Sequence, residues 1–132
     1  MPDELLIKHC APTLAGIKTG NIFSFRFSGE GELTSDLRRL NKLLAGKGLK
    51  ALPLRRSEDG MSIIYIYRPD MLGRDLQSDK ALKILGNFGY CTKSTNVCIA
   101  QLIEKLKNVS SESFPHEIGL FLGYPPEDIP GK

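Results

Sequence analysis

The amino-acid sequence predicts an α+β protein with a small, mostly antiparallel sheet in the order β-α-β-β-α. This order forms a ferredoxin-like layer, with helices on one face and extra C-terminal helices. Three observations support the prediction. An alternating apolar segment indicates the first strand, a leucine stripe indicates the first helix, and two extended runs around a turn indicate a hairpin.

The first predicted strand covers residues 21–27, where apolar and polar side chains alternate. Phe23, Phe25 and Phe27 share one face, and the residues between them are polar. A period of two is typical of a half-buried strand, because successive side chains point to opposite faces of a sheet. We therefore expect the phenylalanine face to lie in the core.

The first predicted helix follows the glycines near residue 30. Four leucines recur at helical spacing and form one apolar stripe: Leu33, Leu37, Leu40 and Leu44. We expect Thr34 or Ser35 to cap the start of the helix, because short hydroxyl side chains accept hydrogen bonds from first-turn N–H groups. Gly46 and Gly48 are expected to end it.

The hairpin is predicted from residues 49–56 and 61–67, which flank the turn sequence at residues 57–60. Pro53 has no amide N–H, so we expect the first of these strands to lie at a sheet edge or to contain a bulge. The second strand is apolar on both faces. It is therefore predicted to be the central strand.

The second half of the chain is predicted to be mainly helical. A helical pattern that starts at Pro69 breaks near Gln77, and Ser78 is expected to cap its second piece. Residues 90–93 fit either a very short strand or a loop. Further on, Ser94 or Thr95 is expected to cap a helix, and a last short helix is expected over residues 115–123.

The composition indicates a single domain over residues 1–132 with no membrane span. The longest apolar run, residues 63–67, is far shorter than the roughly 20 residues needed to cross a bilayer. Two of the first four residues, Asp3 and Glu4, are acidic where a secretory signal is basic, so we expect a cytoplasmic protein. The three cysteines are an odd number and are predicted to be free thiols.

The charge distribution contains one basic stretch within a nearly balanced chain of net charge +3. No acidic residue lies between Asp36 and Glu58, and seven cations do: Arg38, Arg39, Lys42, Lys47, Lys50, Arg55 and Arg56. Such a stretch can contact phosphates. It is also what the solvated side of the leucine helix would carry in any case, and the aromatic spacing of the hairpin matches RNA-binding signatures poorly.

Two segments carry a family resemblance: residues 9–18, His-Cys-Ala-Pro-Thr-Leu-Ala-Gly-Ile-Lys, and residues 114–125, Phe-Pro-His-Glu-Ile-Gly-Leu-Phe-Leu-Gly-Tyr-Pro. Both resemble signature stretches of a bacterial family catalogued as domain-of-unknown-function family 3793. The strand that ends in Tyr67-Arg68-Pro69 resembles a third. The resemblance spans nearly the whole chain and implies candidate positions, but no activity, substrate or cofactor.

The first of these segments carries a candidate nucleophile. His9, Cys10, Thr13 and Lys18 bring an imidazole, a thiol, a hydroxyl and an amine within ten residues. Pro12 fits the first turn of a helix that would run from residue 14 to residue 18, which would leave Cys10 in the loop before its positive end. A thiolate would be favoured there. The alternative is that Cys10 is a small buried apolar residue and His9 a surface or capping residue.

The second segment carries a candidate base. His116 and Glu117 fall in the first turn of the last short helix, where a carboxylate is favourable. His116 could deprotonate the thiol, with Glu117 orienting its ring. The alternative is that Glu117 only starts the helix and His116 bonds locally. No metal site is predicted, because Cys91 and Cys98 are seven residues apart and no C-x-x-C pair exists.

The leading hypothesis is a small cytoplasmic ligand-binding or regulatory domain, with its polar site where the Cys10 loop meets the His116 helix. The candidate ligand residues are His9, Cys10, Thr13, Lys18, Arg68, His116, Glu117 and Tyr124. One alternative is a thiol-dependent enzyme with Cys10 as nucleophile and His116 as base. Another is a nucleic-acid or acidic-partner adaptor that uses the stretch from Arg38 to Arg56. The partner is expected to be a small ligand or a protein, and no cofactor is assigned.

Overall fold

The computed structural model describes residues 3–57, 59–108 and 114–130. Two compact units divide the chain, Met1–Pro69 and Asp70–Lys132. The single domain over residues 1–132 stays a prediction.

The elements are α1 (Asp3–Leu14), β1 (Gly20–Arg26), α2 (Glu30–Ala45), β2 (Lys50–Arg56), β3 (Met61–Tyr67), α3 (Pro69–Leu76), α4 (Asp79–Asn87), α5 (Thr95–Leu106) and α6 (Ile118–Leu122). This confirms the α+β class.

The first unit contains a three-stranded antiparallel sheet in the order β1-β3-β2. The central position of β3 is confirmed, as is the edge position of the strand that carries Pro53. The pairing of β2 with β3 also shifts between Pro53 and Arg55, so the bulge offered as an alternative is present too. Glu58 of the predicted turn lies outside the described residues.

The core of the first unit lies between one face of the sheet and the helices α1 and α2. The apolar side chains of β1 and β3 meet the leucine stripe there, and the main members are Leu6, Cys10, Phe23, Phe27, Leu33, Leu40, Leu44, Ile64 and Ile66. Phe25 and Leu37 are half-buried against this cluster. The predicted strand face and leucine stripe are therefore confirmed.

The edge strand β2 is fastened to α2 by one side-chain amide. Asn41 accepts a hydrogen bond from the Ala51 N–H at 2.8 Å and donates one to the Ala51 carbonyl at 2.9 Å. These are backbone groups that an edge strand leaves without a partner strand. The Asn41 amide therefore satisfies part of the open edge of the sheet.

The first helix is a correction to the predicted structure. Pro12 was expected to start a helix over residues 14–18, whereas it lies inside α1, which ends at Leu14. The reason is that Leu6, Cys10 and Thr13 are spaced as one buried helical stripe. Burial of that stripe outweighs the one hydrogen bond that the missing proline N–H removes. Cys10 therefore lies in a helix and not in a loop.

The cap of α2 is a second correction. Neither Thr34 nor Ser35 caps this helix, which starts earlier, at Glu30, with Gly29 before it and no side-chain cap. The Glu32 carboxylate instead accepts hydrogen bonds from the backbone N–H and the hydroxyl of Ser28. Carboxylates in a first turn are favourable against the helix dipole, which explains the earlier start.

In the second unit, the break in the helical pattern and the two serine caps are as predicted. Ser78 accepts from the Ala81 N–H at 3.2 Å, and Ser94 accepts from the Val97 N–H at 3.1 Å. Residues 90–93 form a loop, the second of the two predicted alternatives, and the described residues contain three strands. The last helix, α6, is shorter than the predicted span of residues 115–123, so His116 and Glu117 precede it and do not lie in its first turn. Gly123 follows the helix with a left-handed φ of 92°.

No helix within the described ranges combines the length and the apolar character that crossing a membrane requires.

The leucine stripe of α2 provides a matched test of the core. Leu40 is 1% exposed and Leu43 is 56% exposed on the same helix. We expect Leu40→Ala to lower the free energy of unfolding by about 2–5 kcal/mol through the cavity it leaves. Leu43→Ala should change it by less than about 0.5 kcal/mol. Urea denaturation measures both, and equal losses for the two variants would contradict the described core.

Candidate functional site

The candidate residues near the start of the chain are used structurally in the first unit. Thr13 is fully buried, and its hydroxyl donates to Asn21 Oδ1 at 3.3 Å. Asn21 in turn donates to the His9 carbonyl at 2.6 Å. The His9 ring stacks on the Phe23 ring with centroids 5.5 Å apart. These contacts fasten α1 to β1.

Cys10 is fully buried among the core residues of the first unit. Burial raises the pKa of its thiol from 9.0 to about 11, against the opposing effect of the Lys18 ammonium. Because the thiolate is the nucleophilic form, this environment suppresses reactivity instead of promoting it. The geometry thus favours the small buried apolar residue that was the alternative for Cys10.

Arg68 binds backbone carbonyls at the ends of two helices. Its Nε donates to the Thr13 carbonyl at 2.9 Å and its Nη2 to the Leu14 carbonyl at 2.8 Å, both in the last turn of α1. Its Nη1 donates to the Lys47 carbonyl at 3.1 Å, just after α2. The last carbonyls of a helix have no partner within the helix, and the guanidinium supplies one.

In the second unit, the two neighbouring candidate residues have opposite environments. His116 is exposed, whereas the Glu117 side chain is 0% exposed. Tyr124 is half exposed, and its ring packs against Gly119, where an added Cβ would come within 3.1 Å of Tyr124 Cδ2. Of these three residues, Glu117 is the one with a buried, charged side chain.

Three segments converge on the Glu117 carboxylate, which precedes α6. Its Oε2 accepts a hydrogen bond from the Tyr90 hydroxyl at 3.0 Å and forms an ion pair with the Lys105 ammonium of α5. Its Oε1 is buried and has no hydrogen-bond partner among the described residues. We call Tyr90, Lys105 and Glu117 the carboxylate cluster.

Two aromatic rings lie beside the ammonium of the carboxylate cluster. Lys105 Nζ lies 5.0 Å from the centroid of the Phe88 ring and 5.7 Å from that of Tyr90. Both distances suit a cation–π interaction. The Tyr90 ring also lies 6.1 Å from the Phe121 ring. Lys105 is 36% exposed, so the cluster extends from a buried carboxylate to a partly solvated ammonium.

The Tyr90 hydroxyl remains a hydrogen-bond donor. Burial raises the pKa of Tyr90 strongly, and the neighbouring Glu117 carboxylate raises it further. The neutral phenol is therefore the form that faces Glu117. With donors from Tyr90 and Lys105 on one oxygen and none on the other, the carboxylate can accept one more N–H or O–H group.

Sequence reasoning found Glu117 but missed Tyr90 and Lys105. One signal for Lys105 was present, because it falls at helical spacing from the buried Cys98 and Leu102. An acidic partner stabilises a lysine ammonium that lies beside a buried stripe. The residues described contain no group of three or more His, Cys, Asp or Glu side chains suited to hold a metal ion.

The fold and the site define a small α+β protein with a buried carboxylate cluster. The model of a family described as a protein of unknown function (DUF3793) matches residues 6–131, so the chain belongs to this family. The resemblance noted in the sequence is thereby confirmed. No match was found among curated proteins, and none among solved structures.

The Arg68 contacts generate a stability prediction. Hydrogen bonds to a charged donor contribute about 1.5–3 kcal/mol each, so Arg68→Gln is expected to lower the free energy of unfolding by at least about 2 kcal/mol. Arg38→Gln, on the exposed side of α2, is the matched control and should stay within about 0.5 kcal/mol. Urea denaturation measures the free energy of unfolding of both variants. Equal values for the two would contradict a structural role of Arg68.

The burial of Cys10 generates a reactivity prediction. In the folded protein at neutral pH, iodoacetamide should modify Cys10 roughly 100-fold more slowly than in denaturant, because its pKa is about two units higher than in the unfolded chain. The exposed Cys91 provides the internal control and should react first. Mass spectrometry identifies the modified thiol. Alkylation of folded Cys10 at the rate seen in denaturant would restore the thiol-enzyme hypothesis.

Proposed function

We propose that the protein is a small cytoplasmic ligand-binding domain whose polar site is the carboxylate cluster. One observation carries the proposal: Glu117 Oε1 is buried and lacks a hydrogen-bond partner in the described part of the chain. An unsatisfied buried acceptor costs free energy, so such groups are rare unless something else completes them. A bound ligand with an N–H or O–H group would do so.

The charges of the cluster favour a neutral ligand. The Lys105 ammonium already compensates the Glu117 carboxylate, so a second cation would be repelled by Lys105. An anion would be repelled by Glu117. The rings of Phe88 and Tyr90 beside the ammonium favour a ligand with an apolar or aromatic body. We therefore assign the site to a neutral aromatic molecule with one hydrogen-bond donor.

The other hypotheses receive less support. A thiol-dependent enzyme requires a reactive Cys10, which is buried with a raised thiol pKa. An adaptor based on the basic stretch gains no specific support, because the aromatic spacing of the hairpin matches RNA-binding signatures poorly. The joint site of Cys10 and His116 stays a prediction. The cytoplasmic location is supported by the three free thiols.

Phenol and anisole are matched probes for this site, because both are neutral aromatic molecules and only phenol has a donor. In a ¹⁵N–¹H NMR titration, phenol is expected to cause saturable shifts of the amides of Phe88, Tyr90, Lys105 and Glu117 and their neighbours. Anisole should cause none at these positions. The absence of saturable shifts with phenol, or equal shifts with both probes, would overturn the proposal.

A triple variant removes the site while keeping the fold. Glu117→Met with Lys105→Met replaces the ion pair by apolar side chains of similar volume, a change that is often neutral for stability. Tyr90→Phe removes the hydroxyl that would otherwise lose its buried acceptor. The phenol shifts should disappear in this variant.

The control variant replaces Glu104 and Lys107, an exposed pair at the C-terminal end of α5, by Gln at both positions. The phenol shifts should be unchanged in this control. Phenol shifts that survive the triple variant would place the binding elsewhere.

A further inference from the structure

The first unit contains a groove of about 350 Å³ between the first turn of α2 and the β2–β3 hairpin. This volume is at the small end of the range for ligand pockets. All its lining residues belong to the first unit, so the groove is independent of the carboxylate cluster and of the function proposed for it.

The floor of the groove combines apolar side chains with one buried hydroxyl. Phe27 and Leu33 line it as part of the core. Ser62 lies on the same face of β3 as Ile64 and is 3% exposed. Ser62 also lines the groove. A hydroxyl in this position can donate a hydrogen bond to a ligand in the groove or accept one from it.

The rim of the groove carries both signs of charge. Arg56 at the end of β2 forms an ion pair with Glu30 in the first turn of α2, and both side chains are well exposed. Exposed ion pairs contribute little and exchange partners readily. On the hairpin side, the Asp59 carboxylate accepts from the Ser57 hydroxyl at 2.7 Å and lies 3.5 Å from Arg26 Nη2.

The start of α2 adds further hydrogen-bond donors. Gly29 lines the groove at the position before the helix and provides no side-chain cap for the N–H groups of the first turn. A helix N-terminus with open N–H groups favours a carboxylate or phosphate. Here it stands beside the Arg56 guanidinium, so one end of the groove suits an anionic group.

We propose that this groove binds a small zwitterion of the α-amino-acid type. The Arg56–Glu30 ion pair opens, Arg56 and the first-turn N–H groups of α2 bind the ligand carboxylate, and Glu30 with Asp59 binds its ammonium. The Ser62 hydroxyl bonds to a polar group of the ligand at the floor. A simple anion is disfavoured by the two carboxylates of the rim, and a simple cation is disfavoured by Arg56 and the helix N-terminus.

The test is a thermal-shift series on the full chain with each common L-α-amino acid in turn. At about 10 mM, at least one is expected to raise the melting temperature by about 3 °C or more. Propionate and propylamine, which carry one charge each, are the matched probes and should raise it by less than a third of that shift. The proposal is overturned when no amino acid raises the melting temperature, or when propionate or propylamine alone is equally effective.

Variants locate the binding. Arg56→Gln and Ser62→Val should each weaken the apparent affinity about tenfold, the loss expected for one hydrogen bond to a charged or buried group. Gly29→Ser keeps the fold, because a Cβ at Gly29 meets no atom within 4 Å, and its hydroxyl competes with the ligand carboxylate for the first-turn N–H groups. Arg38→Gln, on the same helix outside the groove, is the control. Unchanged affinity in all three groove variants contradicts the site.

Discussion

The site in the second unit depends on the hydrogen bond and the ion pair that the buried Glu117 carboxylate forms with Tyr90 and Lys105. A carboxylate that water does not reach must obtain its hydrogen bonds from the protein, or its burial costs several kcal/mol. This requirement explains why Tyr90, Lys105 and the turn before α6 meet at one point. It also explains the donor state of Tyr90, since a second negative charge beside Glu117 would be strongly disfavoured.

In the first unit, Arg68 is a charged side chain that likewise brings separate segments together, but its charge is positive. Its guanidinium is surrounded by carbonyl oxygens from the end of α1 and from the segment after α2. Gly16 and Gly48, both with positive φ, lie beside it. Their left-handed backbone conformations end the two helices where the carbonyls can reach the guanidinium. A charged residue that looked like a ligand contact thus holds helix ends together.

Much of the fold could be predicted because its signals are local. The alternation around Phe23, the leucine stripe, the missing N–H of Pro53 and the serine caps each act within one element or one neighbouring strand. The helix start predicted at Pro12 was wrong. Proline is common at a helix start, but the burial of Leu6 and Cys10 places Pro12 inside α1. Element order was therefore more predictable than element ends.

The carboxylate cluster was only half predictable, and the groove was not. Glu117 was chosen for its place beside His116, and the structure buries Glu117 while His116 is exposed. Tyr90 comes from a loop after a glycine, where no periodic pattern exists. The groove depends on how the hairpin meets the first turn of α2, and Ser62 is one polar residue in an apolar strand. Such contacts arise from tertiary packing, which no local pattern encodes.

A crystal structure of the protein with and without phenol measures directly whether Glu117 is a binding group. We predict that the phenol hydroxyl donates a hydrogen bond to Glu117 Oε1, while Tyr90 and Lys105 still contact Oε2. Glu117 Oε1 bonded to a protein donor, or to a water that phenol does not displace, would show that the cluster serves only the fold.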